Sequence, residues 1–384
     1  MTLRFAVMGT GRIAEGVLPR IAEAPGCRVV AVASRDRSRA ESLASRAAAL
    51  AGVPDPACTY EELENRPDVD AVYLTLPNSL HAEWCVRLLR AGKHVLCEKP
   101  LATTAREARQ IADAARASRR LCTEGFMYMH HPQTERLIEL ARTADQPDSP
   151  IGPLHLLRSN RNVFNTDPYI LSTRLSHALR GGALLDIGCY PLSIALLVAG
   201  ETPDLSTLQA EGRLARWRGD QLKGCIEFKH APQGTQRFLP VPPVPGDAPF
   251  VPLPEEAAAS SGWVDEGCSF SFQFPSGLRF EGECSFTKGP PAGAGVFFEM
   301  IGARGRAFTT HPFGPDPARQ PLRLETGPAA REEVIENGGD KFTNQFARFA
   351  RAVRGDAPPL PSIDFSVALA QTHEAILQRV GVRW

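Results

Sequence analysis

Neither sign of charge prevails in this chain of 384 residues, in which 43 lysines and arginines offset 43 aspartates and glutamates. There is no global field to draw in nucleic acid or an anionic membrane surface, so a small molecule is the expected ligand. No apolar run approaches the roughly eighteen residues that cross a bilayer. The stretch Met1 to Gly9 lacks the basic start, apolar core and small-residue cleavage site of an export signal, and a cytoplasmic protein is expected. Cysteines 27, 58, 85, 97, 122, 189, 225, 268 and 284 are dispersed and never spaced as CxxC or as a Cys/His cluster. They read as reduced core thiols. The adjacent pair His130 and His131 has no carboxylate at ligand spacing, so no metal is expected.

What is present is an ordinary globular composition, 43% hydrophobic and 22% charged, on a chain too long for one core. Two domains are expected: residues 1–125, and residues 126–384 with a C-terminal helix free to pack back on the first. Residues 1–125 alternate strand and helix patterns, with apolar runs at Leu3 to Met8, Cys27 to Ala33, Ala71 to Leu76, His94 to Cys97 and Leu121 to Phe126. This predicts a doubly wound parallel sheet of the Rossmann kind. A helix from about His81 stops at Gly92, and Thr104 with Glu107 fits a capping box. Beyond about residue 150, Gly267 to Phe274, Leu278 to Phe286 and Gly295 to Ile301 alternate and are separated by turns, predicting an α+β domain with a large, mostly antiparallel open sheet. Pro240 to Pro254 reads as a surface excursion. Helical patterns at Phe342 to Val353 and Ser366 to Val380 close the chain.

Gly9-Thr10-Gly11-Arg12-Ile13-Ala14 is a GxGxxA sequence between the first strand and helix. The first glycine permits the tight turn, the second lets a pyrophosphate approach the backbone, and the helix N-terminus favours its charge. At the end of the second strand an acidic residue would bind the ribose 2′-hydroxyl of NAD, but the chain has Ser34 and Arg35, with Arg39 nearby. These suit a 2′-phosphate, hence NADP with NAD possible, although Asp36 leaves open a merely solvated loop. Glu98-Lys99-Pro100 ends the fourth strand, at the sheet edge where open α/β folds place ligands. Lys99 there can bind a substrate hydroxyl and favour the charged form of a neighbouring acid–base group, or can be a surface lysine. Asp186 and Tyr190 are four apart, sharing a helix face; an ammonium near Tyr190 would favour its phenolate. The bland alternative makes Asp186 a helix cap and Tyr190 a core aromatic.

These pieces, with Leu76-Pro77-Asn78 and His81, Glu124-Gly-Phe-Met-Tyr-Met-His-His-Pro132, Gly181 to Pro191 and Phe298-Glu-Met-Ile-Gly302, resemble the Gfo/Idh/MocA oxidoreductase family over nearly the whole chain. The Asp-Ile-Gly-Cys-Tyr form is similar to the branch of dimeric trans-dihydrodiol dehydrogenase and NADP-dependent D-xylose dehydrogenase. The resemblance implies Lys99 and Tyr190 as catalytic pair, Asp186 assisting, a cis bond before Pro100, and a C-terminal sheet that mediates homo-oligomerisation. It also implies that Gly9 to Ile13, Ser34, Arg35, Arg39, Leu76, Pro77, Asn78, His81 and Glu98 to Pro100 hold the cofactor. The stretch from about Arg216 to Gly262 is longer than the family pattern. The expected enzyme is an NAD(P)-dependent dehydrogenase acting on a carbinol carbon of a sugar, polyol or cyclic diol. Alternatives are a cofactor-retaining, redox-neutral enzyme that cleaves or epimerises by transient oxidation, and a regulatory dinucleotide-binding protein, against which Lys99, Asp186 and Tyr190 weigh.

Overall fold

The computed structural model describes residues 2–163, 167–219, 224–229, 262–288, 296–313, 319–336 and 339–384. They form two compact units, one of residues 1–132 with 337–370, the other of residues 133–336 with 371–384.

The first unit is a six-stranded parallel sheet of order β3-β2-β1-β4-β5-β6. Its strands are β1 (Leu3–Met8), β2 (Cys27–Ala33), β3 (Ala57–Cys58), β4 (Ala71–Leu74), β5 (His94–Glu98) and β6 (Cys122–Gly125). Helices α1 (Arg12–Glu23), α2 (Arg37–Arg46), α3 (Tyr60–Glu64), α4 (Asn78–Arg90) and α5 (Ala105–Ser118) connect them. Because both sheet faces are covered, the strands are nearly continuous apolar runs, which is what made them visible in the sequence. Two-residue β3 is too short for any periodicity and was not foreseen. Gly92, at φ +80°, follows the end of α4 as expected. The expected box at the start of α5 is half formed. Thr104 accepts from the Glu107 N–H at 3.2 Å, but the Glu107 carboxylate accepts from the Thr103 hydroxyl. The reciprocal box is instead at Thr59 and Glu62, opening α3.

Residues 337–370 join this unit rather than the second because the helix Lys341–Arg354 is strongly amphipathic and buries its aromatic face on the sheet. Phe346 and Phe349 lie 5.6 and 5.7 Å from the Phe5 ring, and Phe346 lies 5.1 Å from Tyr73. Sequence pattern gives helix and face but not which sheet receives them.

The second unit is a nine-stranded sheet of order β15-β14-β13-β12-β7-β11-β10-β8-β9. It comprises β7 (Leu154–Asn162), β8 (Asp204–Gly219), β9 (Gly224–Phe228), β10 (Val264–Gln273), β11 (Arg279–Ser285), β12 (Val296–Gly302), β13 (Gly305–Thr309), β14 (Arg319–Thr326) and β15 (Ala329–Glu336). Neighbours run antiparallel except β7 and β11, which are parallel. The helices are α6 (Pro132–Arg142), α7 (Pro168–Arg174) and α8 (Cys189–Ala199), α8 being preceded by a π-helical turn at Leu184–Gly188. The chain ends in the helix Ile363–Val380. Residues 240–254 and most of 216–262 lie outside the described residues. All nine cysteines are free, and eight are buried.

Asp265, fully buried on β10, anchors the π turn: it accepts the Leu184 N–H at 2.6 Å, while its Oδ1 has no partner. Burial pushes this carboxyl up to about 7, against the ordinary value of about 4. A raised carboxyl favours the folded state fully below its unfolded value and loses that contribution as pH rises through the folded one. Melting temperature should therefore fall between about pH 5 and 8, and less steeply in Asp265→Asn; an unchanged slope in a scanning-fluorimetry pH series would refute this. Glu124 in the first unit, also raised to about 7 by burial, adds a fall of the same sign that the substitution leaves in place.

Candidate active site

β1 ends at Met8 and the chain turns at Gly9, whose φ is +116°. A Cβ at Gly9 would lie 2.4 Å from Thr75 Oγ1 and 3.1 Å from Thr75 O, so only glycine passes between β1 and the end of β4. Gly11 differs in kind. It is the N-cap of α1, no side chain caps that helix end, and a Cβ built on Gly11 meets nothing within 4 Å. The space is room for a group that the glycine leaves uncovered. Thr10 and Gly11 are half-buried, Arg12 is exposed, and Ile13 stands out as an exposed large apolar side chain beside the open helix end.

Beyond β2, Ser34 is buried with its N–H on Cys58 O at 3.1 Å. The Asp36 carboxylate caps α2, accepting from the Ser38 N–H at 2.9 Å and hydroxyl at 2.7 Å, and these bonds hold it below the usual carboxylate range. Arg37 is committed to Glu41, Asp55 and Glu62. Arg35 and Arg39 have no ion pair among the described residues. The loop thus turns its acid into the helix and leaves two cations without one, which is the charge pattern that suits an anion.

At the ends of β4 and β5, His81 on α4 is buried and bridges two segments. Its Nε2 lies 2.8 Å from Leu76 O and its Nδ1 2.7 Å from Pro100 O. Desolvation pushes its pKa down, and a neutral imidazole donates to only one of these two carbonyls, so His81 ties one of the two segments by its N–H and packs against the other. Pro77 is exposed, and Asn78 opens α4. The Lys99–Pro100 bond is cis, as the resemblance implied. Glu98 accepts the Tyr73 hydroxyl on Oε1 and the Lys99 N–H, at 3.2 Å, on Oε2; burial pushes its carboxyl up, against the pull of Lys99. Glu124 accepts the Leu101 N–H at 2.9 Å. The main chain around half-buried Lys99 is therefore held by two carboxylates, Glu98 of β5 on the Lys99 N–H and Glu124 of β6 on the Leu101 N–H.

In the second unit, Gly181 and Gly182 thread a tight passage. A Cβ on Gly181 would lie 2.1 Å from Arg174 O, and one on Gly182 2.1 Å from Asp265 Oδ1. The π turn follows, a rare widening found often at functional sites. Asp186 sits inside it and Tyr190 in the first turn of α8, on consecutive turns of one helical segment but not on the regular helix that the spacing predicted. The Asp186 Oδ2 accepts from Arg174 Nε at 2.6 Å. Tyr190, 4% exposed, packs its ring 5.4 Å from Phe313 and carries the Arg161 guanidinium 3.9 Å from the ring centre. Lys99 belongs to the first unit, Asp186 and Tyr190 to the second.

Tyr73, Thr75, Arg161, Arg174 and Phe313 were missed by sequence reasoning. None stands in a motif: they are strand, loop and helix-end residues whose partners are more than ten positions away, and only the fold brings them to Glu98, Gly9, Asp186 and Tyr190.

Among the described residues no helix is long and apolar enough to cross a membrane. Residues 3–126 match the model of the oxidoreductase family with NAD-binding Rossmann fold, and residues 148–308 that of the Gfo/Idh/MocA C-terminal domain. A dTDP-3,4-didehydro-2,6-dideoxy-alpha-D-glucose 3-reductase of Streptomyces violaceoruber is 31% identical over 92% of this chain and 85% of its own. The NADP(+) D-xylose 1-dehydrogenase 2 of Haloferax volcanii is 36% identical over 53% of this chain and 58% of its own. The trans-1,2-dihydrobenzene-1,2-diol dehydrogenase of Xenopus laevis is 32% identical over 54% and 60%. Several curated relatives are thus matched over only about three-fifths of their length, as with an uncharacterized oxidoreductase of Rhizobium meliloti at 58%. Among solved structures, a 3-ketoreductase of Actinomadura kijaniata in complex with NADP and TDP-benzene superposes with a TM-score of 0.74 at 26% identity over 98% of both chains. With a relative aligned along nearly the whole chain and the two models falling one on each part of it, the chain belongs to the Gfo/Idh/MocA oxidoreductase family.

Proposed function

We propose that the protein is an NADP-dependent oxidoreductase that interconverts a carbinol and a carbonyl carbon of a sugar or cyclic diol. The observation that carries this is the uncapped start of α1 at Gly11, open where a Cβ would project, beside two arginines without ion pairs. The residues present fit a dinucleotide. Gly9 to Ile13 would receive the pyrophosphate, and Ser34, Arg35 and Arg39 the 2′-phosphate. When bound, the nicotinamide supplies the acceptor or donor of a hydride.

The chain's own part is the proton. Oxidation of a carbinol releases the hydroxyl proton, and Tyr190 is proposed as the group that takes it and, in reduction, returns it. Lys99, clamped through Glu98, is proposed to orient the same hydroxyl, with Asp186 fixing the local geometry through Arg174. That assignment is supported by the family and by related work on the ketoreductase, of which variants at a lysine and at a tyrosine have been solved. Self-association through the second unit's sheet is part of the same proposal.

Three outcomes test it. Gly11→Ala should leave melting nearly unchanged while weakening NADP binding tenfold or more, whereas Gly9→Ala, forced into a strained φ against Thr75, should cost roughly 1–3 kcal/mol of stability. Equal effects of the two in calorimetry would remove the pyrophosphate assignment. NADP should be preferred over NAD, and Arg35→Ala should narrow the ratio of their dissociation constants; a wild-type protein that binds NAD as well as NADP refutes this. In a screen of aldoses, cyclitols and diols, Tyr190→Phe should lower kcat by about a hundredfold with NADP affinity kept. Lys99→Ala should be comparably damaging and the double variant far from additive, as for groups acting on one substrate atom. A Tyr190→Phe enzyme with most of its turnover would assign the proton elsewhere.

A further inference from the structure

The second unit holds a permanent cation against the ring of Tyr190. Arg161 stands near the end of β7, paired in register with Cys284 of β11 and Val296 of β12. Its guanidinium carbon lies 3.9 Å from the centre of the Tyr190 ring and 5.7 Å from that of Phe313. No carboxylate pairs with it among the described residues, and its Nη1 is buried with no hydrogen-bond partner.

Among the described residues, the acids near Tyr190 are engaged by other partners. Asp186, in the π turn, is held by Arg174 at 2.6 Å. From β11, Cys284 lies under Gly188, where a Cβ would approach its Sγ to 2.7 Å, and Glu283 is engaged by Lys288 and by Asn162. His311 in the segment leading to Phe313 faces the Thr310 hydroxyl at 2.9 Å. A guanidinium keeps its protons at every pH a protein survives, so the charge is fixed. Placed within a few ångströms of a phenol, it favours the anion over the neutral form, and burial of Nη1 removes the water that would screen it.

We propose that Arg161 is a positioning residue that sets the acidity of Tyr190, making the phenol ready to release its proton near neutral pH and holding the ring in one orientation. The proton moves between the Tyr190 oxygen and the substrate hydroxyl or solvent; Arg161 gives up none. The proposal rests on the acid–base role given to Tyr190 above, yet it can be read without any substrate.

The chain has five tyrosines, so the ultraviolet tyrosinate titration of the wild type minus that of Tyr190→Phe isolates one phenol. Burial alone would lift it above the free value of about 10, and a midpoint below that value requires a group that favours the anion, which the Arg161 variants identify. Arg161→Met and Arg161→Gln should each raise the midpoint by about one unit or more with the circular dichroism unchanged, and Arg161→Lys should recover part of the shift. An equal midpoint in the wild type and a folded neutral variant overturns the inference. So does a wild-type midpoint above about 10, a measurement that stands even where neither neutral variant folds. The acid limb of the kcat/KM profile in carbinol oxidation, and the basic limb in carbonyl reduction, should move with the same midpoint. A lowered midpoint together with a fully active Tyr190→Phe enzyme would sink the acid–base role while leaving the Arg161 effect standing.

Discussion

The first unit depends on one close approach, that of the Gly9 backbone to Thr75. In the strand order β3-β2-β1-β4-β5-β6 the chain leaves β1 to one side and later returns to its other side, so the connections that follow β1 and β4 depart toward opposite faces. A crevice must open above these two strand ends, and open α/β sheets bind ligands in such a crevice. Its floor is as narrow as a main chain without a side chain allows, with Thr75 held by its own hydroxyl on Met8 O at 3.0 Å. The positive φ at Gly9, the uncapped start of α1 and the exposure of Ile13 are consequences of turning the chain in that gap. The same edge carries Leu76 and, one strand over, Glu98 and Lys99.

Carboxylates buried beside these turns do the holding. Glu98 fixes the Lys99 N–H, Glu124 the Leu101 N–H and Asp265 the Leu184 N–H, and each lies in a dry surrounding that pushes its carboxyl up. A buried acid with an unpartnered oxygen, as in Glu124 and Asp265, is a poor way to stabilise a fold. Perturbed acids of this kind gather where local geometry is retained at a cost in stability. Each binds a main-chain N–H within two residues of Lys99 or of Asp186.

How much of this could be read from the sequence follows from how local each feature is. The parallel strands of the first unit were legible because burial on both faces writes an unbroken apolar run, and the glycine turn because its spacing reports a mechanism. For residues 337–370 the sequence allows a C-terminal helix to pack back on the first unit without fixing it, since the aromatic face of the helix Lys341–Arg354 fits any apolar sheet equally well until Phe5 and Tyr73 are known to be there. Half-solvated strands of the second sheet were partly legible: β10, β11 and β12 alternate clearly, whereas β15, Ala-Ala-Arg-Glu-Glu-Val-Ile-Glu, is nearly all exposed and carries almost no pattern. Lys99 in the first unit and Asp186 and Tyr190 in the second stand out by residue type and spacing, while their catalytic roles are what the family resemblance implies. The π turn that separates Asp186 from the regular helix has no sequence signature, because it arises from the passage of Gly181 and Gly182 past Arg174 and Asp265.

The two arginines of the second unit show why a residue's neighbours, more than its identity, decide what it does. Arg174 and Arg161 carry the same charge and lie near the same helical segment, yet one meets a carboxylate and the other an aromatic face. Were Asp186 free, it would be the natural counter-ion for any nearby guanidinium, and the charge over Tyr190 would be cancelled at short range. Its carboxylate is instead engaged by Arg174, and among the described residues Arg161 has no ion pair. The π turn that carries Asp186 is itself pinned at its start by Asp265. The turn that carries Asp186 toward Arg174 is thus set by a carboxylate on β10, two strands from the β7 strand that carries Arg161.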